Sequence, residues 1–253
     1  MKFTFLGTGT SQGVPVITCH CEVCTSENKK DKRTRSSLLI QSDKTTVVID
    51  TGPDFRYQIL REKVEDLDAV VYTHGHKDHV AGLDDIRPFN YRLDKTINVY
   101  AEIAVQEVLK REFAYIFADK KYPGVPQINV HTIDEQNFYI NDIQFIPIRA
   151  MHKEMPVLGF RIGNFTYITD ANYIATSELE KVKGTEILVL NALRREPHYS
   201  HFSLPEAIAL AQKINAKQTY FTHISHHLGL YQEVNQEFPK GIQLAYDGLS
   251  VQM

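Results

Sequence analysis

Thr73–His79 reads THGHKDH and places three imidazoles and one carboxylate within seven residues. It follows LDAVVYT (Leu67–Thr73), a short apolar run that predicts a buried strand. Side chains alternate along a strand, so His74 and His76, two apart, can point the same way. Asp78 and His79 come where the chain turns into VAGLDDI (Val80–Ile86), which predicts a helix. The whole cluster therefore sits at the carboxyl end of a strand, where α/β proteins build their sites. Such a group repels itself whenever its imidazoles charge. A divalent metal removes that repulsion, because it takes both neutral imidazole lone pairs and a carboxylate. The bland reading is a polar surface loop, and H-x-H-x-D-H directly after an apolar strand argues against it.

Outward from this point, strands and helices interleave. KFTFLGT (Lys2–Thr8) predicts a strand, and SSLLIQS (Ser36–Ser42) with TTVVIDTG (Thr45–Gly52) predict a hairpin closed over Asp43 and Lys44. TINVYA (Thr96–Ala101) predicts a strand and Glu102–Phe113 a helix. Ala114–Gln127 has no period and reads as a loop rich in aromatics and proline, with a cover for the site and a dimer contact both open. NFYIND, IQFIPIRAM, LGFRIGN and FTYITDA, between Asn137 and Ala171, predict a meander. TSELEKV (Thr176–Val182) predicts a helix and TEILVLNA (Thr185–Ala192) a buried strand. SLPEAIALAQKI (Ser203–Ile214) predicts a helix opened by a capping box, with Ser203 first and Glu206 three residues on. QTYFTHI, a helix near Leu230–Phe238 and IQLAYDG complete the pattern. No linker, low-complexity tract or internal repeat is readable, so residues 1–253 predict one layered α/β domain.

Composition narrows the class. A chain of 253 residues, 43% hydrophobic and 23% charged, can bury a large core. A net charge of −3 gives no general attraction to nucleic acid or anionic lipid. No apolar run is long enough to span a bilayer, and the early glycines of MKFTFLGTGTSQG leave no signal-peptide core. The three cysteines cluster within Cys19–Cys24, a poor disulfide framework. A cytoplasmic protein is expected.

One metal cannot use all four groups of the cluster and stay open to substrate. Further ligands are expected at other strand ends. His152 closes FIPIRAMH, Asp170 closes FTYITD and His223 closes TYFTH. Each alone reads more readily as a capping or surface residue than as a ligand. Together they bring the set to five histidines and two aspartates, enough for two adjacent metals.

H-x-H-x-D-H followed by a later His, an Asp and a last His resembles the metallo-β-lactamase superfamily. The likeness runs from FLGTGTSQGVP (Phe5–Pro15) to AYDG (Ala245–Gly248). CHCEVC (Cys19–Cys24) with THISHH (Thr222–His227) more narrowly resembles the PhnP-type cyclic phosphodiesterases, which hydrolyse phosphoribosyl cyclic phosphate. The resemblance implies an α+β, four-layer αββα sandwich with a dinuclear site of Zn or Mn along one edge of its sheets. It implies that His74, His76 and His152 hold one metal, that Asp78, His79 and His223 hold the other, and that Asp170 bridges them. It matches Asp50 to a supporting aspartate that accepts the free N–H of a ligand histidine. It places His201, just before the Ser203 helix, beside the leaving group as general acid or transition-state stabiliser, with Asp170 the other catalytic residue. His198 and His131 are read as surface residues.

Cys19, Cys21 and Cys24 are spaced C-x-C-x-x-C, and thiolates so spaced can wrap one structural zinc. His20 would strain to join them. His226, in the family's THISH position, is the better fourth ligand, and three reduced buried cysteines are the alternative. His227 is expected in solvent.

Two divalent ions about 3.5–4 Å apart can share a water and lower its pKa toward neutrality. The expected activity is hydrolysis of a small, cyclic phosphodiester. The alternatives are another hydrolase of the superfamily, such as a tRNA 3′-processing nuclease or a thioesterase, or a metal-binding or redox-sensing scaffold. Arg87 and the basic run KKDKRTR (Lys29–Arg35) could meet phosphate, although such a run is more often a solvated loop. A small-molecule partner is expected and a nucleic-acid partner is not. The family resemblance leaves a homodimer open.

Overall fold

The computed structural model describes all 253 residues, Met1–Met253. The chain forms β1 (Lys2–Gly7), β2 (Ser37–Gln41), β3 (Thr46–Ile49), β4 (Ala69–Val71), β5 (Ile97–Ala101), β6 (Ile128–Thr132), β7 (Phe138–Ile140) and β8 (Ile143–His152). There follow β9 (Met155–Ile162), β10 (Phe165–Tyr167), β11 (Tyr173–Ile174), β12 (Ile187–Asn191), β13 (Gln218–Thr222), β14 (Ile242–Leu244) and β15 (Ser250–Gln252). One sheet runs β15-β1-β2-β3-β4-β5-β6, and the other β11-β8-β9-β10-β12-β13-β14 with β7 also on β8.

The pairing repeats, although the sequence carries no readable repeat. β1, β2 and β3 are antiparallel, then β3 to β6 are parallel. β8, β9 and β10 are antiparallel, then β10, β12, β13 and β14 are parallel. Many different apolar sequences satisfy one pairing scheme, so topology repeats where residues do not.

Alternation sorts each strand between two layers. Leu38, Ile40, Val47 and Ile49 point inward and meet Phe145, Leu158, Phe160 and Tyr167 of the second sheet. Phe3 stacks on Phe165 with ring centroids 3.9 Å apart. Leu39 and Val48, on the other face, pack against helical Phe55 and Phe89. Leu188, Leu190 and Phe221 do the same on the second sheet against Ala207 and Ala211 of the Leu204–Ile214 helix. Each such side chain contributes roughly 1.5–3 kcal/mol by leaving water. Helices thus cover both outer faces, which is the expected αββα sandwich.

Local expectations hold in most places. Ser203 and Glu206 close the capping box, with the Ser203 N–H donating to Glu206 Oε2 at 2.8 Å. The β2–β3 hairpin closes over Asp43 and Lys44 as expected, with the Ser42 N–H donating to the Thr45 carbonyl at 2.9 Å. β6, β15 and the helix Phe55–Arg61 were not anticipated. β6 and β15 are short edge strands with largely exposed side chains, so they carry little apolar signal. Val80–Ile86 is a helix Lys77–Val80 followed by a separate 3-10 turn, Leu83–Ile86. Within Ala114–Gln127, Ala114–Phe117 is helical, and Ile116 and Val125 are buried in the outer core of the first sheet. No helix is long and apolar enough to cross a membrane.

Candidate metal centre

The expected ligands converge at one end of the sandwich. His74, His76, Asp78 and His79 follow β4, His152 ends β8, and Asp170 and His223 follow β10 and β13. The Leu158 N–H donates to the Thr73 carbonyl at 3.0 Å, tying the second sheet to the start of the histidine turn. Gly52 permits the close approach of that turn to the end of β3: a Cβ there would lie 2.2 Å from the Asp78 carbonyl oxygen.

Asp50, Asp170 and His223 all have left-handed backbone, with φ of 62°, 56° and 54°. Asp94 and Asn215, also left-handed, end helices, and Asn141 and Lys153 turn hairpins. The three site residues instead come just past strand ends. Strain of this kind persists where the surroundings over-determine it and collects at functional sites.

The imidazoles are aimed by their outer nitrogens. His79 Nδ1 donates to Asp50 Oδ2 at 2.7 Å. Thr73 Oγ1 donates to the same oxygen at 2.8 Å and stands 3.0 Å from His74 Nδ1. With its own proton given to Asp50, Thr73 Oγ1 accepts from the His74 Nδ1–H, which turns the His74 Nε2 lone pair into the site. Asp50 thus reaches two histidines, one directly and one through Thr73. His152 Nδ1 donates to the Asp170 carbonyl at 3.0 Å, which frees its Nε2 in the same way.

Around the Asp170 carboxylate the arrangement fits cations. His201 Nε2 lies 3.2 Å from Oδ1, and His223 Nδ1 and His79 Nε2 lie 3.1 and 3.3 Å from Oδ2. His79 Nε2 is also 3.3 Å from Asp78 Oδ2, yet this fully buried nitrogen has hydrogen-bond geometry to neither oxygen. An imidazole nitrogen and two carboxylate oxygens that surround a point without bonding one another are what a metal ion requires. Asp78, His79, Asp170 and His223 offer donors within 4.8 Å of one another, as do His152, Asp170 and His201. His74 and His76 close the far side, with His74 Nε2 3.1 Å from His76 Nδ1 and the His76 and His152 ring centroids 5.0 Å apart. All seven expected ligands are brought together.

Electrostatics point the same way. Burial alone would lower the His79 pKa, but Asp170, Asp78 and Asp50 reverse it and hold it well above the ordinary range. Burial depresses His74 strongly, and burial together with His201 brings His152 down to about 4. Asp170 stays ionised well below the carboxylate range despite its burial, because His223 and His79 face it. The metal-free centre therefore favours a proton on His79, which metal must displace. That proton stabilises the metal-free fold at low pH, and its contribution is lost as pH rises through the raised pKa. Calorimetric loading at pH 7 in buffers of different ionisation enthalpy should report proton release, with affinity rising from pH 6 to 8. A flat affinity with no proton release would contradict this.

Other expectations are corrected. His198 is no plain surface residue: its Nδ1 lies 3.2 Å from His201 Nδ1, and Ser200 Oγ is 3.1 Å from the same His201 nitrogen. His131 is exposed as expected, stacked on Tyr100. Lys29–Arg35 is not a solvated basic loop: Arg33 is buried and donates to Thr8 Oγ1 and the Ala245 carbonyl, and Arg35 pairs with Asp54. Arg87 pairs with Asp84 at 2.7 Å and does not border the pocket. Asn191 was missed. It holds Ala171, next to Asp170, by bonds to both its N–H and carbonyl at 2.8 and 2.9 Å, and a buried Asn ending an apolar strand was the available signal.

The pocket over the centre has a volume of about 300 Å³ and is lined mostly by polar groups, among them Thr10, Ser11 and Ser200, with Leu193 and Tyr199 its two hydrophobic residues. A larger groove of about 690 Å³ between the Phe55–Arg61 and Arg87–Leu93 helices holds none of these ligands.

The cysteine cluster also forms. Sγ of Cys19, Cys21 and Cys24 lie 3.3, 3.3 and 3.5 Å from His226 Nδ1, while His20 and His227 are exposed. Burial raises Cys24 to about 11. At Cys21 the Cys24 backbone N–H and the His226 ring outweigh burial and bring the thiol to about 6. Four such donors could hold one metal ion.

Residues 45–224 match the family model described as a beta-lactamase superfamily domain. The crystal structure of a new diphosphatase from the PhnP family is 42% identical, with TM-score 0.93, covering 100% of this chain and 97% of that one. The chain is a beta-lactamase superfamily protein of the PhnP family. It has the metallo-β-lactamase fold, and that fold implies divalent metal binding. An octanoyltransferase of Porphyromonas gingivalis is 40% identical over 252 residues, 98% of this chain and 51% of the relative. The chain thus spans about half the length of that curated relative. Zn²⁺-bound PqqB from Methylobacterium extorquens, 18% identical with TM-score 0.77 and covering 100% of both chains, shares the fold.

Proposed function

We propose that this chain is a metal-dependent phosphoryl hydrolase that cleaves a phosphodiester or diphosphate bond in a small substrate, cyclic phosphodiesters included. The observation that carries the reading is the Asp170 carboxylate, met on one oxygen by His201 and on the other by His79 and His223, in a small polar pocket. Two divalent cations held by the seven ligands would supply Lewis acidity to the phosphoryl group and acidify a water. Asp170 fixes both halves of the centre from one carboxylate. Asp50 holds the tautomers of His79 and, through Thr73, of His74. His201 Nε2 faces the pocket beside Asp170, and its Nδ1 rests on Ser200 Oγ and His198. A proton on Nε2 can pass to the departing oxygen while Nδ1 keeps its partners.

The relative named an octanoyltransferase raises an acyl reading. An octanoyl chain calls for an apolar slot, and only 2 of the 12 residues lining this pocket are hydrophobic. The lining therefore favours a phosphoryl substrate.

Bis-p-nitrophenyl phosphate tests the reading. Chelated protein should lose turnover and regain it with Mn²⁺ or Zn²⁺. His201→Ala should lower turnover by about 100-fold while keeping its metals. Unchanged turnover would remove His201 from the mechanism, and loss of metal would make it a ligand instead. Failure of every metal to support cleavage would sink the phosphoryl reading.

A further inference from the structure

The pocket is small for a ligand site, and its mouth is built. A volume of about 300 Å³ takes a phosphoryl group and a few neighbouring atoms. The rest of a larger substrate must lie across the rim. There the backbone is braced from both sides. Asn172 Oδ1 accepts the Lys153 N–H at 2.8 Å, and Asn172 Nδ2 donates to the Tyr199 carbonyl at 3.1 Å. Arg194 donates to the carbonyls of Glu196 and Pro197 at 3.4 and 3.0 Å. Lys153 itself follows the candidate ligand His152 in a left-handed turn, φ 58°.

On this braced frame stands a bare aromatic ring. Tyr199 lines the pocket and is 72% exposed. The His198 ring backs it, centroids 4.4 Å apart. The Lys153 ammonium lies 6.0 Å from the Tyr199 ring centroid. A tyrosine in a floppy loop would cover itself by collapsing, whereas here the main chain on either side is held and the ring stays out. A planar group gains most from such a face, because stacking asks only for a π surface. The neighbouring cation adds a preference for negative charge.

We infer that Tyr199 and Lys153 form a specificity subsite for a nucleotide-type substrate, its base stacked on Tyr199 and a second phosphate met by Lys153. The phosphoryl group to be cleaved then reaches Asp170 and His201 below. The inference rests on the phosphoryl-hydrolase reading for the reacting group, but the subsite can be tested by binding alone.

The probes are AMP, α,β-methylene-ADP and ribose 5-phosphate, titrated calorimetrically into the metal-loaded protein. Wild type should bind AMP more tightly than ribose 5-phosphate, and the methylene diphosphate more tightly than AMP. Tyr199→Ala should weaken AMP about tenfold and leave ribose 5-phosphate unchanged, while Tyr199→Phe keeps the ring and the affinity. Lys153→Ala should erase the preference for the diphosphate over AMP. Equal effects of Tyr199→Ala on AMP and ribose 5-phosphate, or no effect on either, would overturn the subsite. A Tyr199→Ala change in sedimentation without a change in AMP binding would also overturn it, in favour of a protein contact. Discrimination of AMP by a protein that cleaves no phosphodiester would leave the subsite standing and remove the hydrolase reading instead.

Discussion

Asp170→Asn is expected to cut turnover of bis-p-nitrophenyl phosphate by about 10³-fold or more and to empty the active-site metals. The side chain loses only its charge. Asparagine has nearly the same volume and tolerates the left-handed backbone at this position, φ 56°, so the fold should persist. The His152 bond to the main-chain carbonyl of residue 170 does not depend on the side chain. What disappears is the anion facing three imidazoles at 3.1, 3.2 and 3.3 Å. An amide cannot serve two cations with two negative oxygens, and its NH₂ would point a donor where an acceptor is needed. Metal ions supply several kcal/mol of transition-state stabilisation, and each 1.36 kcal/mol is about tenfold in rate. Metal analysis, circular dichroism and turnover on the same sample decide the matter. A folded variant with its full metal content and turnover within about tenfold of wild type would refute the placement of Asp170 at the heart of the centre.

Much of this centre is legible in the sequence, for one physical reason. A buried strand is apolar until it leaves the core, so the first polar residue past its end marks the rim where side chains from several strands meet. That rule found His152, Asp170 and His223 from their positions alone. It could not show that Asp50, Asp170 and His223 sit in left-handed backbone, because that conformation is imposed by neighbours distant in sequence. His198 escaped because its contact with His201 depends on the fold of one short loop. Arg33 was hidden by its charged neighbours: a run of basic residues looks solvated, yet its guanidinium is buried against Thr8 and Ala245. The repeated strand order is a property of pairing rather than of residue identity, so no sequence period announces it.

The cysteine cluster carries the other large expected effect. Residues between β1 and β2 cross the mouth of the pocket, where Thr10 and Ser11 contribute to its lining. Little apolar burial holds this segment. Its local core is Val14, Val23 and Cys24, and Ile17 is 88% exposed. Ordering a residue costs about 1–2 kcal/mol, which so small a cluster does not offset. Backbone bonds from Val14 to Arg33, 2.8 and 2.7 Å, and from Thr10 to Ile224, 3.1 Å, help without closing the gap. A zinc shared by Cys19, Cys21, Cys24 and His226 would fasten the segment to the loop that also carries His223. Cys21→Ser removes a thiol brought down to about 6. The variant should lose one metal equivalent, become sensitive to proteolysis between residues 15 and 32, and melt roughly 5–10 °C lower, as a loss of 2–3 kcal/mol implies for a chain of this size. The active-site metals should stay, because none of their seven ligands lies in the loosened segment. Turnover should fall through a higher KM rather than a lower kcat, since Thr10 and Ser11 border the substrate and touch no proton that moves. A variant that keeps every metal equivalent and its melting temperature would show three reduced cysteines packed as ordinary core, and the segment would then owe its order to hydrogen bonds alone.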